Sequence, residues 1–285
     1  MNNRNLLFAL ALCCILLSLG AWVLAFFHYS APVRQIPAAQ VLPNLQSAPA
    51  AELKYAPPRP QDAPEALREA VMLGYNILND TAQYAPDHVA NELSCATCHL
   101  EGGTSMVSIS LVGAAATYPR FSASHGTSID LAQKVQDCFA RNLNATPPAH
   151  DSTAMQAVLA YLQWISKDIP VYASLPWALP AKLDSAHKPD AAAGQNVYAE
   201  SCAACHGDAG DGSPPLWGKG AYTDGSTLHN IDTLAVFTHR FMPPEAATLT
   251  PEQSLDVAAY VDGQPRPHFV PAQSPGSDKK TPQGK

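Results

Sequence analysis

Cys95-Ala96-Thr97-Cys98-His99 has the pattern C-x-x-C-H, and the pattern returns as Cys202-Ala203-Ala204-Cys205-His206. This is the attachment signature of c-type haem: the two thiols add across the haem vinyl groups, and the histidine binds the iron. A single C-x-x-C would also fit a thioredoxin-like motif or half of a zinc site. Two copies, each followed by histidine, favour two covalent haem c groups. The attaching residues are then Cys95, Cys98, Cys202 and Cys205, and the proximal ligands are His99 and His206.

The two halves of the chain share one plan around these motifs. Each has an opening helix, C-x-x-C-H, an irregular middle and a closing helix, and the closing helices share Ala160-Tyr161-Leu162 and Ala259-Tyr260-Val261. Small cytochromes c are built in this way, and a length of 285 residues allows two of them. The sequence predicts an all-α fold with two tandem cytochrome c domains, at 62–170 and 190–270, joined by a linker at 171–189.

Several helix boundaries follow from capping residues. Asp62 is predicted to cap the first opening helix, and Asp151-Ser152-Thr153 caps a helix running from 154 to about 166. A further helix is predicted over 128–141. In the second half, helices are predicted to begin near Asp190 and at Thr250.

The N-terminal region predicts attachment to a membrane. Residues 6–27 form an uncharged run of 22 residues, whereas a spanning helix needs about 20 and a signal-peptide core about 7–15. The length favours an uncleaved anchor over 1–30, although Val23-Leu24-Ala25 leaves a cleaved signal peptide open. Residues 31–61, rich in proline and alanine, predict an extended tether, and 271–285 a disordered tail. The globular part is expected in the periplasm, held at the bacterial inner membrane.

Composition narrows the class of partner. The chain is mildly acidic, with 17 Lys and Arg against 24 Asp and Glu, and no basic run indicates a nucleic-acid partner. Two haem groups imply a partner that exchanges electrons, such as another cytochrome or redox protein, and the lone thiol Cys138 indicates a small anionic sulfur compound as the substrate.

The distal iron ligand of a small cytochrome c comes late in its domain, just before the closing helix. Met242-Pro243-Pro244 occupies that place in the second half, with Lys219 and His239 as competitors. In the first half, a similar spacing after His99 leads to Cys138. This lone thiol can also be an inert buried cysteine or a pairing partner for another chain. As an iron ligand, its thiolate would favour ferric iron and suit the oxidation of a sulfur compound.

Further stretches resemble those of the di-haem thiosulfate dehydrogenases, some of which run as tetrathionate reductases. The resemblance covers about 62–268. It includes Tyr118-Pro119-Arg120-Phe121, Val135-Gln136-Asp137-Cys138-Phe139-Ala140-Arg141, Pro214-Pro215-Leu216-Trp217-Gly218, Tyr222-Thr223-Asp224-Gly225 and Gln264-Pro265-Arg266-Pro267. It implies periplasmic coupling of two thiosulfates into tetrathionate. It also implies that Cys138 ligates the active-site haem and that Met242, in exchange with a lysine such as Lys219, ligates the second haem.

One departure from the family bears on substrate binding. The family has two arginines where this chain has Ser122 and Ser124, followed by His125. Arg120, Lys134 and Arg141 remain as the cations for a catalytic pocket around Cys138, so weak affinity is expected rather than none. Two alternatives stay open: an electron-transfer module without its own substrate, and a sulfur-transfer subunit like the cysteine-ligated haem subunits of the sulfur-oxidising multienzyme system.

Overall fold

A computed structural model describes residues 55–244 and 247–270 of the chain. In this part the protein is mostly helical, as the sequence predicts. The first half contains helices α1 (Glu65–Asn79), α2 (Thr81–Tyr84), α3 (Leu131–Asn142) and α4 (Thr153–Ile165). The second half contains α5 (Ala191–Ser201), α6 (Ala203–His206), α7 (Ile231–Phe241) and α8 (Pro251–Asp262). Short turns lie at Pro60–Asp62, Pro86–His88, Cys95–Thr97, Leu100–Gly103 and Ala114–Thr117.

In each domain the opening helix crosses the closing helix, and a glycine lies at the crossing point. In the first domain α1 crosses α4 at Gly74, where an added Cβ would lie 2.1 Å from Ala157 O. In the second domain α5 crosses α8 at Gly194, where an added Cβ would lie 1.9 Å from Asp256 O. Neither contact leaves room for a side chain, so the opening and closing helices touch through their backbones.

Apolar residues from both helices of each pair form two separate cores. In the first, the buried Tyr161 packs edge-on against Tyr75, and its hydroxyl donates to Gly102 O. In the second, Tyr198 packs against Trp217 and Tyr260 at centroid distances of 5.0 and 5.5 Å. Each core therefore places an aromatic cluster beside the opening helix that leads into its C-x-x-C-H motif.

Three predicted helix starts are confirmed by capping hydrogen bonds. Ser152 accepts from the Met155 amide at the start of α4, and Thr250 accepts from the Gln253 amide at the start of α8. Asp190 accepts from the Ala192 amide at the start of α5. Each cap satisfies an amide that has no partner inside its helix.

Two predicted helix starts are wrong. Asp62 forms an ion pair with Arg59 at 2.8 Å, and α1 begins only at Glu65 after Pro64. The helix predicted over 128–141 begins at Leu131, because Asp130 and Gln133 form a capping box. The two residues before Asp130 belong instead to a short antiparallel hairpin, whose strands are β1 (Arg120–Ser122) and β2 (Thr127–Ile129).

The end of the predicted tether and the linker are packed. Trp164 Nε1 donates to Arg59 O at 2.9 Å, and Tyr55 packs against the first core, so the folded part begins before residue 62. In the linker, Trp177 Nε1 donates to Val112 O at 2.9 Å, and His187 Nε2 lies 2.6 Å from Asp256 Oδ1. The linker thus contacts the first domain and then α8 of the second.

The predicted membrane anchor at 1–30, the tether up to residue 54 and the tail at 271–285 lie outside the described residues. Of the helices within 55–244 and 247–270, none combines the length and apolar character that crossing a bilayer requires.

Candidate active site

Hydrogen bonds to the side chains of Ser94, Thr97 and Thr81 hold the first C-x-x-C-H motif. The Cys95–Thr97 turn begins at Ser94, whose side chain forms a capping box with Thr97. The buried Thr81 hydroxyl accepts from the Cys95 amide at 3.3 Å and lies 3.6 Å from Cys95 Sγ. The first thiol is therefore held in place by α2.

Both motif histidines leave one ring nitrogen available for a metal. His99 Nδ1 lies 2.7 Å from Ile109 O, and His206 Nδ1 lies 2.8 Å from Pro214 O. A carbonyl oxygen only accepts hydrogen bonds, so Nδ1 carries the hydrogen and Nε2 keeps its lone pair. Burial also lowers the pKa of His99, which favours the neutral imidazole that iron needs.

The fold brings Cys138 to the first motif. One narrow pocket is lined by Cys95, Cys98, His99 and Cys138, with Tyr222 and Leu228 from the second domain. The five cysteines within the described residues are all free of disulfides. Two thiols, an imidazole with a free Nε2 and a further sulfur suit a covalently attached haem. The donor set of the first motif therefore fits a haem c group.

A larger cavity of about 480 Å³ is also lined by Cys138. Its wall contains all four residues that the sequence predicts as catalytic, together with both serines that replace arginines. These residues are Arg120, Lys134, Cys138, Arg141, Ser122 and Ser124. Cys138 is thus the cysteine common to the pocket at the first motif and the cavity.

The three cations differ in how freely they can meet a ligand. Arg120 is exposed and stacks over the Tyr118 ring at 4.8 Å. Arg141 Nη1 donates to Gly225 O at 3.0 Å, and its guanidinium covers the Phe269 ring at 4.8 Å. Part of the Arg141 side chain therefore joins the two domains, although its buried Nε has no hydrogen-bond partner within the described residues.

Lys134 is partly buried on α3, the helix that carries Cys138. Within the described residues, no carboxylate lies in ion-pair range of its ammonium group. The negative charge of a Cys138 thiolate raises the pKa of Lys134, and burial opposes that rise. Lys134 lies one helical turn before Cys138 on α3, so the two side chains are neighbours on the helix surface.

The serines that replace arginines are bonded to each other and to His125. Ser122 Oγ lies 3.1 Å from Ser124 Oγ, and His125 Nδ1 lies 3.1 Å from the first hydroxyl and 3.2 Å from the second. His125 Nε2 is 3.6 Å from Asp137 Oδ1. This part of the wall offers hydroxyl groups in place of fixed positive charge.

The candidate ligands of the second haem lie in two places. Met242 is half-buried and follows α7 directly, while Lys219 is exposed in the loop after His206. His239, in the last turn of α7, has its Nδ1 2.8 Å from Leu249 O. That bond ties α7 to the residue that precedes the cap of α8.

Comparison with known proteins gives the family. Residues 81–171 match the SoxA/TsdA cytochrome c domain, and residues 189–261 match the family described as cytochrome C oxidase, cbb3-type, subunit III. The chain is 37% identical to a thiosulfate dehydrogenase of Stutzerimonas stutzeri over 243 residues, which is 81% of this chain and 79% of the relative. It belongs to the di-haem thiosulfate dehydrogenase family. The family carries two haem c cofactors, and so does this chain.

Other thiosulfate dehydrogenases show the same relationship. The one of Allochromatium vinosum is 36% identical, over 75% of this chain and 83% of the relative. A solved structure described as thiosulfate dehydrogenase (TsdBA) from Marichromatium purpuratum superposes with a TM-score of 0.70 at 30% identity. The match covers 79% of this chain and 51% of the TsdBA chain, so this member of the family spans about half of that longer chain.

The sequence did not reveal two further contributions to the cavity wall, one from α3 and one from the second domain. Asp137, one residue before Cys138, lines the cavity and lies 3.6 Å from Arg141 Nε. Thr227, Asn230 and Thr233 line it from the second domain. Asn230 caps α7, and its pairing with Thr233 was a readable local signal, but nothing local showed that α7 starts at this cavity.

Proposed function

We propose that this protein oxidises thiosulfate: two thiosulfate ions are joined through a new S–S bond to give one tetrathionate, and two electrons leave. The observation that supports this most strongly is the position of Cys138. It lines both the pocket that fits the first haem and the cavity that contains Arg120, Lys134 and Arg141. Membership of the thiosulfate dehydrogenase family supports the same substrate.

The three cations of the cavity offset the charge repulsion between two thiosulfate ions, which is the main obstacle to bringing them together. Two unit charges 4 Å apart repel by about 4 kcal/mol at an effective dielectric constant of about 20, and each thiosulfate carries two charges. Lys134 and Arg141 flank Cys138 on α3, and Arg120 lies on β1 at the cavity wall. Fixed positive groups of this kind offset the repulsion without having to reorganise during the reaction.

The residues that would hold the cofactors divide between the domains. Cys95 and Cys98 would attach the first haem, and His99 and Cys138 would bind its iron. Cys202 and Cys205 would attach the second haem, and His206 and Met242 would bind its iron. When bound, each haem c accepts one electron at a time, so the pair can hold both electrons. A thiolate at the first iron and a thioether at the second would direct electrons toward the second domain.

A steady-state assay with thiosulfate and a one-electron acceptor tests the function. Tetrathionate should form with two acceptor molecules reduced for each tetrathionate, and the reverse assay should consume tetrathionate with a one-electron donor. The second candidate is an electron-transfer cytochrome without its own substrate, favoured by the loss of fixed charge at Ser122 and Ser124. Absence of turnover in both directions would support that candidate.

Restoring the missing charge should improve substrate binding. The double variant Ser122→Arg, Ser124→Arg adds two cations to the cavity wall, so we expect the KM for thiosulfate to fall about tenfold, equivalent to about 1.4 kcal/mol. The control is Ser122→Gln, Ser124→Gln, which adds similar bulk without charge. An equal change in both double variants would attribute the effect to shape. The gain should shrink in high salt because the site is partly open to solvent.

Loss of Met242, the proposed distal ligand of the second haem, should change the midpoint potential of that haem. Met242→Ala removes the thioether that would favour reduced iron, so the higher of the two midpoint potentials should fall in a spectroelectrochemical titration. Met106→Ala, an exposed methionine of the first domain, is the control. If Met242→Ala left both potentials in place, Lys219 or His239 would be the better assignment.

The proposed location is the periplasmic face of the bacterial inner membrane, with residues 1–30 as the anchor and a cytochrome or other redox protein as the electron partner. This rests on the uncharged run at 6–27 and on covalent haem attachment. N-terminal sequencing and detergent partitioning of the mature protein test it. A mature chain beginning near Phe26 and soluble without detergent would mean that the segment is a cleaved signal peptide.

A further inference from the structure

His125 lies next to three polar groups of the cavity wall. Its Nδ1 is 3.1 Å from Ser122 Oγ and 3.2 Å from Ser124 Oγ, and the two hydroxyl oxygens are 3.1 Å apart. Its Nε2 is 3.6 Å from Asp137 Oδ1. Both serines and Asp137 line the cavity. His125 can therefore act on an anion in the cavity through these three neighbours.

The two sides of the His125 ring have different partners, and these determine which nitrogen carries hydrogen. The Asp137 carboxylate can only accept, so it favours a hydrogen on the Nε2 that faces it. In the neutral ring, Nδ1 then accepts a hydrogen bond from a serine hydroxyl. In the charged ring both nitrogens carry hydrogen, so Nδ1 donates to a serine oxygen instead.

This reversal changes what Ser122 and Ser124 can offer a ligand. Each hydroxyl has one hydrogen to donate. When His125 is neutral, one of these hydrogens goes to Nδ1 and the other to the neighbouring serine oxygen, so neither is left for the cavity. When His125 is charged, Nδ1 takes no hydrogen from the serines. At least one hydroxyl is then free to donate to an anion in the cavity.

The charge of His125 also acts on Asp137, which is the one carboxylate among the described residues that line the cavity. The same Asp137 Oδ1 lies 3.6 Å from Arg141 Nε. A charged His125 shares this carboxylate with Arg141, so more of the positive potential of Arg141 is left for a ligand. The second-domain residues that line the cavity are uncharged. The other titratable groups of the wall are Tyr118, Arg120, Lys134 and Cys138.

We propose that His125 is a positioning residue whose protonation strengthens anion binding in the cavity, so that a charge dependent on pH partly replaces the two arginines of the family. This inference rests on the proposed function and adds a proton-linked affinity to the same site. Histidine is the side chain whose charge ordinarily changes between about pH 5 and 8. The affinity for thiosulfate should therefore rise as the pH falls through that range. Because linkage is reciprocal, thiosulfate binding should take up protons.

The test compares steady-state kinetics of the holoprotein at about pH 6 and about pH 8, between which histidine gains or loses its charge. In the wild type, the KM for thiosulfate should be about fivefold lower at the acid pH, which is the low end of common couplings between two binding events. His125→Gln should keep the higher KM at both pH values. The kcat should change much less than the KM, because His125 is not among the residues that line the haem pocket.

Two further variants locate the effect. The double variant Ser122→Ala, Ser124→Ala removes the hydroxyls and keeps the ring, so the KM at acid pH should rise and most of the pH step should be lost. His187→Gln is the control. It removes a histidine of similar side-chain exposure, 31% against 29%, that pairs with Asp256 outside the cavity lining. Its pH step should equal that of the wild type.

Calorimetry separates this inference from the proposed function. Thiosulfate is titrated into holoprotein that has been reduced beforehand, so that no turnover follows, in two buffers with different ionisation enthalpies. At about pH 7 the wild type should take up protons on binding, and His125→Gln should take up fewer. Binding with this proton uptake but without turnover would overturn thiosulfate oxidation and support the role of His125. An equal pH step in the wild type and His125→Gln, or a full step in the double alanine variant, would overturn that role.

Discussion

Replacing Cys138 with alanine is expected to reduce thiosulfate turnover by at least about 100-fold, which corresponds to about 2.7 kcal/mol of lost transition-state stabilisation. The variant removes the sulfur shared by the haem pocket and the cavity. Both haems should stay attached, because the attaching cysteines are untouched. One low-spin signal in electron paramagnetic resonance should change, since the first iron loses its distal ligand. Turnover and the resonance spectrum of the same preparation give the measurement.

Cys138→Met separates ligation from reactivity. A thioether can still bind the iron, but it carries no charge and is a poor nucleophile, so the first haem should stay low-spin with a raised potential. If Cys138→Met keeps normal turnover, the thiolate is not needed for the chemistry. An unchanged spectrum in Cys138→Ala would rule out Cys138 as the iron ligand.

Replacing Lys134 with glutamine should raise the KM for thiosulfate about 10- to 100-fold. A hydrogen bond to a charged group contributes about 1.5–3 kcal/mol, and Lys134 lies in the cavity wall with no ion-pair carboxylate among the described residues. Haem content and the midpoint potential of the second haem should change little. The potential of the first haem should fall, because Lys134 no longer offsets the charge of the Cys138 thiolate. Steady-state kinetics across thiosulfate concentrations give the measurement.

Two further variants make the Lys134 result specific. Lys134→Arg keeps the charge and should retain most of the affinity. Lys167→Gln removes an exposed lysine that lies over Trp164, outside the cavity lining, and should leave the KM as it is. A normal KM in Lys134→Gln, or an equal rise in Lys167→Gln, would mean that Lys134 does not bind substrate.

The repeated architecture was predictable because its signals are local. A C-x-x-C-H motif needs only five consecutive residues, and the caps at Ser152, Asp190 and Thr250 act within one helical turn. The sequence also allowed Lys134, Cys138 and Arg141 to be grouped at one site, because they share a face of α3 at helical spacing. Arg120 joins them because β1 pairs with β2 immediately before α3.

The contribution of the second domain was not predictable, because it depends on contacts between residues far apart in the chain. Arg141 could be read as a free substrate cation, yet its guanidinium also donates to Gly225 O. Asn230 caps α7, a helix that was not predicted from the sequence. It lines the cavity only because the second domain docks on the first. The packed linker is a similar case: Trp177 finds its acceptor only at Val112 O.

The loop that carries Tyr222 also bears on the order in which the protein is made. A ribosome completes the first C-x-x-C-H motif long before it reaches Tyr222 and Leu228. Until those residues are synthesised and dock, the first pocket lacks one wall. Haem added to Cys95 and Cys98 before that docking would enter an open half-site, and the second half would then cover it.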